Sequence, residues 1–188
     1  SGPARALASF ARWIREGFPE STLRRLLVSG DIETPDGVSG RRAARILRES
    51  QIGWGAARYA ACLNGHCEDL RARLETADED ETKEHRAARL AAVIATRDWV
   101  LDILGLVPQG EAPLVEFLQT TRVFLEVHVA VRSDVDGFAL AQLRDRLAEE
   151  AHYASRRVSQ SEAMERIIAI AESISVERSG PRPGHLHR

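Results

Sequence analysis

The stretch from Lys83 to Leu104, KEHRAARLAAVIATRDWVLDIL, decides the fold class. Leu90, Ile94, Leu101 and Leu104 fall on one stripe at helical spacing. Gly105 and then Pro108 follow, residue types that stop a helix. Before it lies an acidic run, Asp78, Glu79, Asp80, Glu81 and Glu84 against Lys83. That run reads as an exposed loop or as a first turn favoured by the helix dipole.

The same reading extends in both directions. Upstream, Pro3 to Glu16 is helical, with Leu7, Phe10 and Ile14 on a stripe flanked by Ala6, Ala11 and Trp13. Ser21 to Ser29 follows with Leu23, Leu26 and Leu27 inward and Gly30 as its stop. Thr34-Pro35-Asp36-Gly37 is a turn within the loop from Asp31 to Val38. Ser39 caps a helix from Gly40 to Ser50, and Gly53-Trp54-Gly55 breaks the pattern. Ala56 to Leu63 forms a further helix, which Asn64-Gly65 is expected to close, and Cys67 to Glu75 is helix-compatible.

Downstream, a helix is expected from Pro113 to Val131, although the β-branched run Val123 to Val131 also suits a strand. Ser133-x-x-Asp136 opens a helix over Asp134 to Ala154. Ser159-x-x-Glu162 opens the last, to Ile174. The expectation is an all-α, irregular multi-helix domain of about eight helices over residues 1–178, with 179–188 as an exit tail. No repeat supports a solenoid.

Composition bounds the function. The chain has 188 residues, 44% hydrophobic and 29% charged, with a formal net charge of −2. That balance argues against a bulk polycation but allows a local basic face. No apolar run is long enough for a transmembrane helix, and no secretory signal is visible, so the expectation is a cytoplasmic protein without a membrane partner. Two cysteines are too few for a disulfide scaffold. Lys83 is the only lysine, so no G-x-x-x-x-G-K-[ST] phosphate loop exists.

Four sets of residues invite chemistry. Cys62, His66 and Cys67, with His85 as a fourth ligand, are zinc-type donors, but their spacing is not that of a knuckle. His185-x-His187 lacks partner ligands. Pro35-Asp36 with Glu81-x-Lys83 matches a nuclease signature, yet the first pair is a turn and the second opens a helix. No catalytic residue, metal site or cofactor is therefore assigned. The fourth set is basic: Arg41, Arg42, Arg45, Arg48 and Arg58 stand against Glu49 alone, a local charge of +4. Arg41, Arg45 and Arg48 share a helix face, and Trp54 and Tyr59 lie nearby in the chain. Arginines beside aromatics grip phosphates and stack on bases, so Arg41, Arg42, Arg45, Arg48, Trp54 and Arg58 form the candidate DNA-binding set.

Three stretches also carry a resemblance. They are Pro3-Ala4-Arg5-Ala6-Leu7 through Gly17-Phe18-Pro19 to Leu23-Arg24-Arg25-Leu26-Leu27 and Ser29-Gly30; Ala43-Ala44-Arg45-Ile46-Leu47-Arg48 through Ile52-Gly53-Trp54-Gly55 to Arg58-Tyr59; and Ser179-Gly180-Pro181-Arg182-Pro183-Gly184-His185-Leu186-His187. In that order they resemble the helical insertion in the second motor-like domain of AddB-type subunits of bacterial helicase–nucleases, relatives of UvrD-like helicases. The resemblance implies a piece of a longer protein acting in double-strand break processing. Its partners would be DNA, the parent's other domains and a helicase subunit. The family's helicase, nuclease and iron–sulfur motifs lie outside such an insertion, so no catalytic role transfers to any residue here. Two other classes remain: a helical protein–protein interaction module, and a small helical metal-dependent enzyme using Cys62, His66, Cys67 and His85.

Overall fold

The computed structural model describes residues 1–76, 80–151 and 155–174, with the side chains of 80 and 81 excepted. Within them run eight helices: α1 (Gly2–Arg15), α2 (Glu20–Ser29), α3 (Gly40–Glu49), α4 (Ala56–Glu75), α5 (Asp80–Leu106), α6 (Leu114–Val127), α7 (Asp134–Ala151) and α8 (Gln160–Ser173). The all-α expectation holds. The one sheet among the described residues is a two-residue antiparallel pair, β1 (Ala112–Pro113) with β2 (Arg157–Val158). The tail from 179 and the boundary at 178 lie outside the described residues.

α1 is the hub. Its sequence reads as an amphipathic stripe, but Ala4, Ala6, Leu7, Ala8, Phe10, Ala11, Trp13 and Ile14 are all buried. Small alanines let other helices approach on several sides, and α2, α6, α7 and α8 all pack against it. Phe10 stacks on Phe124 of α6 with ring centroids 3.9 Å apart.

The end of α1 is a Schellman turn. The Phe18 N–H donates to Trp13 O and the Gly17 N–H to Ile14 O. Gly17 takes φ +78°, and Phe18 follows at φ +64°. A left-handed conformation costs a non-glycine residue about 1–2 kcal/mol. The Phe18 ring offsets that cost by meeting Trp13 edge-on at 5.0 Å. Trp13 is fully buried, and its indole Nε1–H donates to the Tyr59 hydroxyl at 3.0 Å. Tyr59 in turn donates to Phe18 O at 3.2 Å. Both polar tips of these buried rings are thereby satisfied.

Several boundaries differ from those expected. Asn64-Gly65 does not close a helix; α4 runs unbroken from Ala56 to Glu75. Tyr59, Leu63, Cys67 and Leu70 form one buried row across it. Burying that row outweighs the roughly 1 kcal/mol that a mid-helix glycine costs. α5 likewise passes Gly105 to Leu106. α4 and α5 pair antiparallel, with Arg86 bonded to Arg73 O and Arg97 reaching Asn64 and Cys67. α6 stops at Val127, not Val131, because the chain beyond it bonds across to the first long loop. Glu33 N donates to His128 O, Ala130 N donates to Asp31 O, and Ile32 bridges Val129. The β-branched run is therefore helix first and extended backbone afterwards.

The serine caps behave as read from sequence. Ser39 accepts from Arg42 N, Ser133 from Asp136 N and Ser159 from Glu162 N. α3 docks closely on α2 because Gly40 has no side chain; a Cβ there would collide with the Leu27 carbonyl oxygen.

Two substitutions test this frame by urea denaturation. Gly40→Ala should destabilise by about 1–3 kcal/mol, the usual cost of forcing atoms into a packed contact. Tyr59→Phe removes one hydroxyl but leaves the Trp13 N–H and the Phe18 carbonyl unpaired. It should cost about 1–3 kcal/mol, against almost nothing if Tyr59 acted only as a hydrophobe.

Candidate nucleic-acid interface

α3 divides its residues sharply. Ala43, Ala44, Ile46 and Leu47 are buried against the core. At 100° per residue, Arg41, Arg42, Arg45, Arg48 and Glu49 then fall in an outward arc of about 120°. Arg41, Arg45, Arg48 and Glu49 are exposed and Arg42 is half-buried.

This arc has two sides. On one, Arg42 donates across to Ala88 O of α5 at 3.1 Å. Glu49 accepts from Arg89 of α5 at 3.1 Å and lies 3.9 Å from Arg45. Arg42, Arg45, Ile46, Glu49, His85 and Arg89 line a cleft of about 240 Å³ between the helices. On the other side, the positive field of Arg48 reaches Glu20 at the start of α2. Glu20 is also paired with Arg24 at 2.6 Å, and its burial still holds its pKa above the usual carboxylate value.

The charges oppose local helix preferences. Arg41 and Arg42 occupy the first turn of α3, where no acidic residue offsets the positive end of the helix dipole. Arg58 does the same in α4. A cation at a helix N-terminus costs about 0.3–1 kcal/mol, so these positions gather positive charge against the helix's own interest.

Trp54 is not in the core. It is 67% exposed, the large hydrophobe left outside in the 50–55 connection. Its indole Nε1–H donates to Glu16 O at 3.2 Å, and the ring edge lies over Gly17, which has no Cβ in the way. The connection is tied down as well: Gly55 N donates to Gly17 O and Glu20 N to Gly53 O. Trp54 is thus a fixed, outward-facing ring. Arg58 nearby bonds Gln51 O at 3.4 Å and is exposed.

The zinc-type set does not assemble. Cys67 is buried with the Arg97 guanidinium 3.9 Å from its sulfur, and burial pushes the thiol pKa up. Cys62 packs half-buried against the core. His85 stands in the arginine cleft, away from both. Among the described residues no three His, Cys, Asp or Glu side chains converge as a metal site. Pro35 lies in a turn closed by Val38 N donating to Pro35 O, and the Glu81 side chain is outside the described residues. His185 and His187 are also outside them. No helix among the described residues is long and apolar enough to cross a membrane.

Arg89 was not singled out in the sequence, and His85 was named there only as a metal ligand. Both lie in the helix quoted first, but their partnership with α3 was not legible, because it depends on how α5 packs.

No family model, curated protein or solved structure matches the chain.

His66 underlies this surface from α4. Ser50 donates to Ile46 O, so its oxygen accepts from His66 Nδ1–H at 2.8 Å. Burial, with Arg89 next and Arg73 a smaller cause, lowers the His66 pKa below 6.5, and Glu49 and Asp69 only partly oppose them. The unfolded chain then takes up this proton first as pH falls. Stability should be full above about pH 6.5 and decline as pH falls toward the lower folded pKa. Urea midpoints at about pH 8 and pH 5 check this, since His66→Gln keeps a donor and loses the titration. The variant should lose less stability than the wild type across that interval; equal losses would exclude His66 as a source.

Proposed function

We propose that this chain is a non-catalytic helical module that contacts DNA through the arginine face of α3, with Trp54 and Arg58 extending the contact. In this reading it is the helical insertion of an AddB-type helicase–nuclease subunit, serving double-strand break processing beside a partner helicase subunit. The observation that carries it is the placing of Arg41 and Arg42 in the first turn of α3 with no acid there, while the apolar side of α3 is wholly used by the core. Departures from local preference of this kind gather at functional sites. Phosphates supply the negative charge that such a helix start lacks. A clamped, exposed indole suits stacking on an unpaired base, at about 1–3 kcal/mol per base.

A second reading, a protein–protein interaction module, draws on the corner between α6 and α7. Val127, Val131 and Phe138 are well exposed there, Phe138 at 68%. Concentration-dependent self-association or partner capture without salt-sensitive DNA binding would favour that reading.

The test is fluorescence anisotropy with labelled single-stranded, duplex and forked DNA. Four phosphate contacts give a log–log salt slope of about −3 to −4 on duplex, roughly a hundredfold weakening from about 50 to 200 mM salt. A folded variant with Arg41, Arg42, Arg45 and Arg48 changed to Glu should lose binding. Trp54→Ala should weaken single-stranded and forked DNA more than duplex. Absence of binding to every DNA at low salt would defeat the reading for this chain.

A further inference from the structure

The cleft between α3 and α5 contains three guanidinium groups and one carboxylate. Arg42 is held in place by its bond to Ala88 O. Arg45 is 69% exposed and Arg89 45% exposed, so both can turn toward solvent or a ligand. Glu49, 39% exposed, lies between them at 3.9 Å and 3.1 Å. Three arginines against one carboxylate leave the cleft with an excess of two positive charges.

We propose that this cleft is a phosphate-binding pocket, formed by Arg42, Arg45 and Arg89 with His85 at its edge, and that Glu49 is a built-in anion which an incoming phosphate replaces. The proposal rests on the DNA-contact reading and adds to it a defined pocket, a ligand group and a resident competitor. Carboxylate and phosphate oxygens make the same paired hydrogen bonds to guanidinium forks. Glu49 takes one such bond, from Arg89, and stands 3.9 Å from Arg45, so it fills part of the place a phosphate would take. Because the Glu49 pairs are solvent-exposed, the internal interaction is weak and readily exchanged. A phosphate carries more acceptor oxygens and, as a monoester or pyrophosphate, more charge than a carboxylate. It can engage three arginines where Glu49 engages two. Glu49 also weakens binding of smaller anions with fewer acceptor oxygens, so it acts as a selectivity device at the pocket.

The phosphate could belong to a backbone diester or to a strand terminus, and the experiment separates these sources. The probes are inorganic pyrophosphate, followed by isothermal titration calorimetry, and labelled oligonucleotides with a 5′-phosphate or a 5′-hydroxyl, followed by anisotropy. The decisive variant is Glu49→Gln. It keeps the shape and removes the competing charge, and a gain in affinity cannot arise from misfolding. Its control is Glu149→Gln on α7, where Glu149 pairs with Arg146 at the same 3.1 Å in a more exposed setting. Both variants change the net charge equally.

Glu49→Gln should tighten pyrophosphate binding by about two- to fivefold, the effect of releasing one exposed ion pair. Glu149→Gln should leave it unchanged, and Arg89→Ala should weaken it by about tenfold. Equal tightening on 5′-phosphorylated and 5′-hydroxyl strands supports the pocket and assigns the diester. Tightening confined to phosphorylated strands supports it and assigns the terminus. Unchanged or weaker pyrophosphate binding in Glu49→Gln overturns the pocket, as does equal tightening in Glu149→Gln. Pyrophosphate binding enhanced by Glu49→Gln without any DNA binding upholds the pocket and defeats the DNA reading. DNA binding indifferent to Glu49→Gln and Arg89→Ala defeats the pocket and leaves the wider arginine face standing.

Discussion

The buried contact among Trp13, Phe18 and Tyr59 joins the end of α1 and the turn after it to α4, a part of the chain distant in sequence. Trp13 ends α1, Phe18 begins the turn into α2, and Tyr59 comes from the first turns of α4. Two edge-on ring contacts and two hydrogen bonds act together there, so each polar group is paired only when all three residues are in place. That mutual dependence fixes the direction of the chain leaving α1. It also sets where α4 starts, because Tyr59 cannot reach Phe18 O from another register. The connection from Gly53 to Gly55 is then bonded onto the same corner, which leaves Trp54 no route into the core.

The candidate interface follows from this arrangement. α1 uses most of its circumference in the core and leaves Arg5, Arg12 and Arg15 toward solvent. α3 is placed over α2 by the close approach at Gly40 and beside α5 by the bond from Arg42 to Ala88 O. It spends its four apolar residues inward and turns its arginines out. α4 supplies Arg58 from its start and His66 from beneath. The resulting surface is built by four segments, and none of them alone carries the arrangement.

Electrostatics separates the arginines further. The field of Arg48 reaches the buried Glu20, whereas Arg42 and Arg45 share the α5 side with Arg89 and Glu49. One helix face thereby presents two environments. On the α5 side positive charge is in excess and an internal carboxylate occupies part of it. Exposed pairs of this kind add little to stability, so their arrangement costs the fold little.

The amino-acid sequence by itself determined the all-α class, the capping serines Ser39, Ser133 and Ser159, and the division of α3 into an apolar and an arginine side. These are consequences of spacing and of local hydrogen bonding, which act over a few residues and are written in the order of side chains. The same local signals misplaced the break at Gly65 and the end of α6, because burial of a continuous row and pairing to a distant loop outweigh a glycine's cost or a β-branched preference. Tertiary structure alone decided that Trp13 would be central and Trp54 exposed, two residues of one type with opposite fates. It alone brought Arg89 and His85 to Arg42 and Arg45. Contacts between α3 and α5 join positions some forty residues apart, and helical periodicity says which face a residue occupies but not which helix that face will meet.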